Sequence, residues 1–339
     1  MDGSIAPRLL DWYDAHARAL PWRVTGGAVP DPYRVWLSEI MLQQTTTAHA
    51  APYFGKFLAR WPTIEALAAT PEAEVMAEWA GLGYYSRARS LIACARQVAT
   101  RGGFPDTEAE LRKLPGLGAY TAAAVAAIAF GRRAVVVDAN VERVVARLFA
   151  IEIPLPAARP AIRTAAETIT PDRRAGDFAQ AMMDLGATIC TPRAPKCLLC
   201  PLADLCAARK EGRQDALPLK APKPTRPVRT GTAYWIERDG AVWLVTRPAT
   251  GLLGGMRALP DDGWNARADG SGEAPLPGPW REVGRVRHGF THLELELGIA
   301  VYAGDDLPAP GGEWWPMDTL GAAGLPTVFA KAALRATTR

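Results

Sequence analysis

The sequence predicts a mostly α-helical amino-terminal domain followed by a smaller, β-rich α+β domain. Three observations carry this: apolar side chains recur at helical spacing through roughly the first two hundred residues, four cysteines cluster where that region ends, and beyond a basic, proline-rich stretch the apolar period becomes alternating. The 339 residues are 49% hydrophobic and 22% charged, enough for two cores and incompatible with disorder throughout. The 29 prolines and 31 glycines follow no Gly-X-Y period, and no longer repeat runs through the chain, which excludes collagen-like and solenoid classes. The longest nearly uncharged stretch, Leu114 to Phe130, is too short and too broken by Pro115-Gly116 to span about 30 Å of lipid. Nothing after Met1 reads as a secretory or transit signal, so an intracellular protein with no membrane partner is expected. The net charge of +4 permits a polyanionic partner without requiring one.

Ile5, Leu9, Trp12 and Tyr13 mark a first helix, and Tyr33, Trp36, Leu37, Ile40 and Met41 a second. A helix from Pro71 to Ala80 is expected to meet Gly81-Leu82-Gly83, with another beginning near Tyr84. Thr107 and Glu110 form a capping box ahead of Leu111 and Leu114; Pro115-Gly116-Leu117-Gly118 then breaks the helix, and Ala119 to Phe130 starts another. The helical domain is expected over residues 1–206, with the cysteine loop at 190–206. Residues 207–230, carrying seven Arg and Lys against Glu211 and Asp215, read as a basic, proline-rich linker. In the remaining domain, 231–339, Asp239-Gly240 reads as a hairpin turn, Leu293, Leu295, Leu297, Ile299 and Val301 as a strand, and the residues after Thr327 as a closing helix.

The cysteines Cys190, Cys197, Cys200 and Cys206 have the spacing C-x6-C-x2-C-x5-C, unlike a secreted disulfide framework. Thiolates at this density select zinc or an iron–sulfur cluster; a zinc ribbon uses two C-x-x-C pairs and only one is present, which favours a four-iron cluster. Cys94, between Ile92 and Val98, reads as core. Glu39 is flanked at helical spacing by Val35, Trp36, Leu42 and Gln43, so no helical ion-pair partner serves it. A carboxyl desolvated on such a helix holds its proton, as a general acid must; the alternative is a Glu that reaches solvent or a distant arginine. Asp138 follows Val135-Val136-Val137 and precedes a helix marked by Val141, Val144, Val145 and Leu148. It reads as an N-cap, where the helix dipole favours a carboxylate able to face a developing cation. Two carboxyl groups of this kind are what glycosidic cleavage uses. Gly116 and Gly118 open backbone amides at a helix N-terminus to a phosphate, although any helix turn can look like this. Gln43, Gln44 and Thr45, with Tyr84-Tyr85, suit minor-groove contacts and an aromatic wedge on DNA, or are surface amides and core aromatics.

Further blocks complete the pattern in order: Leu20-Pro21-Trp22-Arg23, Trp36-Leu37-Ser38-Glu39 with Met41 to Thr45, Gly81-Leu82-Gly83-Tyr84-Tyr85, Leu114 to Gly118, Val137-Asp138-Ala139-Asn140-Val141, Ala181-Met182-Met183-Asp184-Leu185-Gly186 and the cysteine loop. On these blocks the chain resembles, over essentially its whole length, the adenine DNA glycosylases of the MutY type in the helix-hairpin-helix glycosylase superfamily. The resemblance implies a mostly α helix-hairpin-helix glycosylase domain with an iron–sulfur cluster loop, followed by an α+β Nudix-like domain. It implies a monomer of the bacterial cytoplasm, at the nucleoid, that hydrolyses the N-glycosidic bond of adenine mispaired with 8-oxoguanine or guanine in double-stranded DNA. By carry-over Glu39 protonates adenine at N7 and Asp138 stabilises the oxocarbenium sugar. Tyr120 and Asn140 support Asp138 and the sugar, Trp22 and Arg23 line the adenine pocket, and Gln43, Gln44, Leu82 and Tyr84 probe the lesion pair and fill the gap. The four cysteines hold a [4Fe-4S] cluster. Where bifunctional relatives carry a catalytic lysine this chain has Tyr120, which implies an abasic site as product. Phe290-Thr291-His292 matches the family's Phe-Ser-His loop for 8-oxoguanine, with Thr for Ser; alternatively Phe290 is a core residue entering a strand. Two other classes set the contrast. A Nudix hydrolase needs an Arg-Glu-x-x-Glu-Glu helix that is missing from Gly251 to Gly284, and a non-catalytic DNA-binding protein needs neither Glu39 nor Asp138.

Overall fold

The computed structural model describes residues 4–24, 28–222, 225–248, 250–308 and 310–338. Its contacts divide the chain into two units, 1–222 and 223–339. The first is built from α1 (Ile5–His16), α2 (Pro32–Leu42), α3 (Thr47–Arg60), α4 (Ile64–Ala69), α5 (Glu72–Glu78), α6 (Tyr85–Arg101), α7 (Glu108–Leu111), α8 (Ala119–Phe130), α9 (Ala139–Leu148), α10 (Arg159–Ile169), α11 (Ala175–Thr188) and the short α12 (Ala207–Lys210). Among the described residues no helix is long and apolar enough to cross a membrane.

Two apolar cores share this unit. The first surrounds Trp36, Phe54, Phe57 and Trp79 and is enclosed by α2 to α8; the second surrounds Leu9, Val145 and Ile162, from α1, α9 and α10, and is completed by α11. Between them runs α8, whose residues Ala122 to Ala127 are buried with only Val125 larger than alanine. Small side chains on both faces let α2 and α11 pack against it from different sides. This brings Glu39 on α2 towards Asp138 at the start of α9. The α7–α8 hairpin forms as its sequence dictates: Thr107 Oγ1 accepts from the Glu110 amide, and Gly116 turns the chain at φ +77°. A Cβ there would lie 2.7 Å from Ser90 Cβ, so glycine is required by backbone conformation and by space.

The segment expected as a linker from 207 to 230 is not one along its length. Residues 207–222 belong to the first unit: α12 buries Ala208, Leu217 is buried, and the Leu217 carbonyl accepts from Arg147 Nε at 2.9 Å. Leu155 exchanges backbone hydrogen bonds with Leu219 and Ala221. Composition suggests a solvated stretch because Lys210 and Lys220 are exposed, while half-buried Arg209 and Arg213, Leu217 and the backbone supply the attachment.

The second unit contains β1 (Val228–Trp235), β2 (Glu237–Arg238), β3 (Ala241–Thr246), β4 (Arg257–Ala258), β5 (Trp280–Gly289), β6 (Glu294–Tyr302), β7 (Gly312–Pro316) and α13 (Thr327–Thr337). One sheet has the order β1-β6-β5, with β1 parallel and β5 antiparallel to β6; in the other, β3 pairs with β2, β4 and β7. Asp239 and Gly240 both have positive φ, the I′-type geometry that joins β2 to β3 in two residues. Leu295, Leu297, Ile299 and Val301 point from β6 into a core closed by Val328, Phe329 and Ala332 of α13.

Candidate active site

Glu39, Asp138, Tyr120, Asn140, Trp22, Arg23, Gln43, Gln44, Thr45 and Tyr84 all line one cavity of about 600 Å³ in the helical unit. Glu39 sits one turn before the end of α2, on a helix whose residues from Val35 to Met41 are all buried. Its side chain is 6% exposed and its Oε2 has no hydrogen-bond partner among the described residues. Burial pushes this carboxyl up to about 7; the neighbouring Tyr120 hydroxyl and the Arg23 charge pull the other way, and Asp138 adds to the rise. Burial, followed by the charges of Glu39 and Asp138, drives the Tyr120 phenol upward, so it stays a neutral hydroxyl. The Tyr120 hydroxyl thus lies beside Glu39 and within the electrostatic reach of Asp138.

Asp138 caps α9, its Oδ1 accepting from the Val141 amide at 2.7 Å. Its Oδ2 accepts from Asn140 Nδ2 at 2.8 Å, and Asn140 Oδ1 in turn accepts from Arg143 Nη2 at 2.9 Å. Because Arg143 holds the amide oxygen, the amide nitrogen of Asn140 faces the carboxylate. Arg143 is anchored through the carbonyls of Gly186 and Cys190, both at 2.7 Å. The arrangement pairs a desolvated acid whose burial favours its protonated form with a carboxyl group fixed by two N–H donors, across a space able to hold a base and its sugar.

Three residues that sequence reasoning missed build the site: Arg18 and Gln180 in the cavity wall, and Asp184, which holds Arg18 and Arg23. Arg18 and Gln180 line it directly. Asp184 is fully buried and accepts from Arg23 Nη2 at 2.8 Å, from Arg23 Nη1 and from the backbone and Nε of Arg18. Burial alone would raise its carboxyl, but the two guanidinium groups outweigh that and hold it below the usual range. A buried carboxylate so paired fixes Arg23 beside Trp22. The available signal was an acidic residue inside the apolar run Ala181 to Leu185, the same signal that singled out Glu39.

Other expected contacts lie elsewhere. Leu82 does not reach the cavity: it is 4% exposed within the first core, and half-exposed Tyr84 is the side chain that stands out from that loop. Gly116 and Gly118 lie in the α7–α8 hairpin; no side chain caps α8, leaving its first amides open. In the second unit the Phe290 amide donates to the Leu293 carbonyl at 2.8 Å, a tight turn that exposes Thr291 and His292. Phe290 itself is half-buried against Trp264 and His288, so part of it belongs to the core.

Cys190 follows the end of α11, Cys197 and Cys200 flank a 3-10 turn, and Cys206 precedes α12. All four are free and line one small cavity with Arg147 and Arg209. Among the described residues no three His, Cys, Asp or Glu side chains close up as ligands of one metal ion. Four cysteines around one cavity, with one C-x-x-C pair rather than two, suit the thiolate ligation of a four-iron cluster. Buried Arg147 donates to Cys190 Sγ at 3.3 Å and to the Thr191 carbonyl at 2.7 Å, holding the loop's first turn. When bound, such a cluster supplies cross-links between the loop's segments.

Residues 37–168 match the HhH-GPD superfamily of base excision DNA repair proteins, residues 190–206 the iron-sulfur binding domain of endonuclease III, and residues 231–335 the NUDIX domain. The adenine DNA glycosylase of Homo sapiens is 34% identical over 399 residues, covering 95% of this chain and 72% of that one. That of Mycolicibacterium smegmatis is 42% identical over 212 residues, covering 62% and 71%. Among solved structures, a thermostable thymine-DNA glycosylase superposes with a TM-score of 0.54 at 34% identity, covering 61% of this chain and 95% of that one. A trapped endonuclease III–DNA covalent intermediate gives 0.51 at 25%, covering 62% and 98%. With 34% identity running over nearly its whole length, the protein belongs to the adenine DNA glycosylase family, a hydrolase of N-glycosyl bonds that carries a [4Fe-4S] cluster in its 190–206 loop.

Proposed function

We propose that this glycosylase removes adenine mispaired with 8-oxoguanine, or with guanine, from double-stranded DNA and leaves an abasic site without cutting the strand. The observation that carries the reading is the pairing, in one cavity, of a Glu39 carboxyl raised to about 7 with the capped carboxylate of Asp138. The adenine leaves the stack, at an energy that a mismatch lowers, and enters the cavity beside Trp22 and Arg23. Glu39 gives its proton to N7, the bond between C1′ and N9 breaks with its electron pair passing to the base, and adenine departs neutral. Asp138 stabilises the oxocarbenium sugar by its charge or by a transient bond to C1′. Water then adds at C1′, and its proton returns to the Glu39 carboxylate. The phenol of Tyr120 cannot form the Schiff base that an amine forms, so strand cleavage does not follow.

Around this chemistry, the open amides of α8 suit a DNA phosphate, and Gln43, Gln44 and Tyr84 at the cavity mouth suit the gap left by the base. The exposed Phe290-Thr291-His292 turn suits 8-oxoguanine, with the Thr291 hydroxyl as hydrogen-bonding group. Among the described residues from Gly251 to Gly284 there is no helix to carry an acidic metal site, which favours binding over hydrolysis in the second unit. The test is single-turnover incubation with duplexes carrying adenine opposite 8-oxoguanine, guanine or thymine. Scission only after hot alkali, and only for the first two, is expected. Scission without alkali would overturn the monofunctional reading, and bound but intact 8-oxoguanine duplex would overturn the catalytic one.

The four cysteines are assigned as the cluster's ligands, and the cluster as the frame for exposed Arg193, whose side chain suits a phosphate together with Lys196. Cys200→Ser is expected to lose the visible absorbance of the cluster and, with it, about tenfold or more in duplex affinity. A cluster-free protein with unchanged affinity, measured by fluorescence anisotropy, would remove that role.

A further inference from the structure

Resting on that reading, we infer that Arg87 is a positioning residue which clamps together the two strained turns that meet the DNA, one at the end of the Glu39 helix and one at Tyr84. Among the described residues that line the cavity mouth, Gln44 and Tyr84 are non-glycine residues with positive φ, +60° and +49°. Such backbone is held only where the surroundings enforce it. Arg87 grips the carbonyl immediately before each. Its Nη1 donates to the carbonyl of Gln43, and its Nη2 to those of Leu82 at 3.2 Å and Gly83 at 3.4 Å.

The same Nη1 reaches the carbonyls of Ile40 at 3.1 Å and Met41 at 3.3 Å. These are end carbonyls of α2, a helix with no basic residue in its last turn, so Arg87 supplies their capping charge from another helix. The guanidinium carbon also lies 5.5 Å from the Trp79 ring centroid and 5.2 Å from the Tyr84 ring centroid. Arg87 is 8% exposed, 46 residues from Met41 in sequence. A surface arginine reaching for DNA would leave its donors in solvent; this one commits both Nη groups to the protein, while its buried Nε has no partner among the described residues. The fork geometry is what the site uses, since only a planar group with several donors can address both turns at once. With the clamp in place the wedge at Tyr84 and the probes at Gln43 and Gln44 keep a fixed spacing, so insertion of one and capture of the base by the Glu39 cavity become a single movement.

The test uses Arg87→Lys, which keeps the buried charge without the fork, and Arg87→Gln. Hydrogen exchange on the DNA-free protein is expected to accelerate by about tenfold or more over both 43–45 and 82–85, the effect of losing hydrogen bonds to a charged group. In a Glu39→Gln background that blocks excision, 2-aminopurine opposite 8-oxoguanine reports extrusion by its fluorescence rise. The Arg87 variants are expected to slow this rise about tenfold or more while keeping cluster absorbance and duplex affinity. Acceleration at only one segment, unchanged extrusion, or loss of folding in both variants would overturn the clamp. If the parent itself gives no fluorescence rise with the lesion duplex, the functional reading fails instead, and the exchange result still decides on Arg87.

Discussion

Glu39→Gln is expected to bind the lesion duplex as tightly as the wild type and to release adenine about 10²- to 10⁴-fold more slowly, the range for removing a general acid. The substitution keeps the shape and buried position of the side chain and takes away only the transferable proton. The wild-type carboxyl, raised to about 7, keeps its proton in a large fraction of molecules at neutral pH because α2 buries it among apolar neighbours and its Oε2 finds no partner among the described residues. An amide in the same place can donate a hydrogen bond to N7, but cannot send the base out as a neutral molecule. Single-turnover kinetics with saturating protein separates the chemical step from product release, and a rate constant equal to wild type would remove Glu39 from the mechanism.

The second large effect is expected at Asp138→Asn. Asparagine caps a helix about as well as aspartate, so the Val141 amide keeps its acceptor and α9 keeps its start. What disappears is the negative charge facing the sugar, together with the Oδ2 acceptor for Asn140 Nδ2, and the rate of base release is expected to fall about 10²- to 10³-fold. Thermal unfolding should shift by less than in Asp138→Ala, because the cap is kept. Asp138→Ala, which removes the cap as well, should lose about 1 kcal/mol of stability besides its activity. If Asp138→Asn retained full activity while Asp138→Ala lost it, the residue would be a cap and nothing more.

Much of this site is legible in sequence because its main devices are local. The N-cap role of Asp138 follows from one residue and the helix after it; the desolvation of Glu39 follows from Val35, Trp36 and Leu42 beside it on α2; the cysteine spacing and the Asp239-Gly240 turn are readable within short stretches. What sequence conceals is pairing across distance. Asp184 meets Arg23 from 161 residues away, and Arg87 meets Gln43 from 44 residues away, so neither arginine can be told from a solvated one by period or composition. The same limit explains Leu82, which a loop position suggests is available and the first core buries, and residues 207–222, whose basic composition masks their attachment through Leu217 and Leu155. Tyr120 shows a subtler form: the chain order places it after the hairpin glycines, and only the packing of α8 against α2 decides that it faces Glu39.

The measurement that bears most directly on the central claim is the pH dependence of single-turnover adenine release from a duplex carrying adenine opposite 8-oxoguanine, measured from about pH 5.5 to about pH 9 with saturating protein. Glu39 is active as its protonated form and lies at about 7 in the free protein; bound phosphates and excluded water move it up, not down. The account predicts a rate constant that is flat on the acid side and falls about tenfold for each further pH unit above a midpoint at or somewhat above 7, with this limb missing in the residual activity of Glu39→Gln. A rate constant that stays flat or rises through the same range would contradict a protonated Glu39 as the group that releases the base.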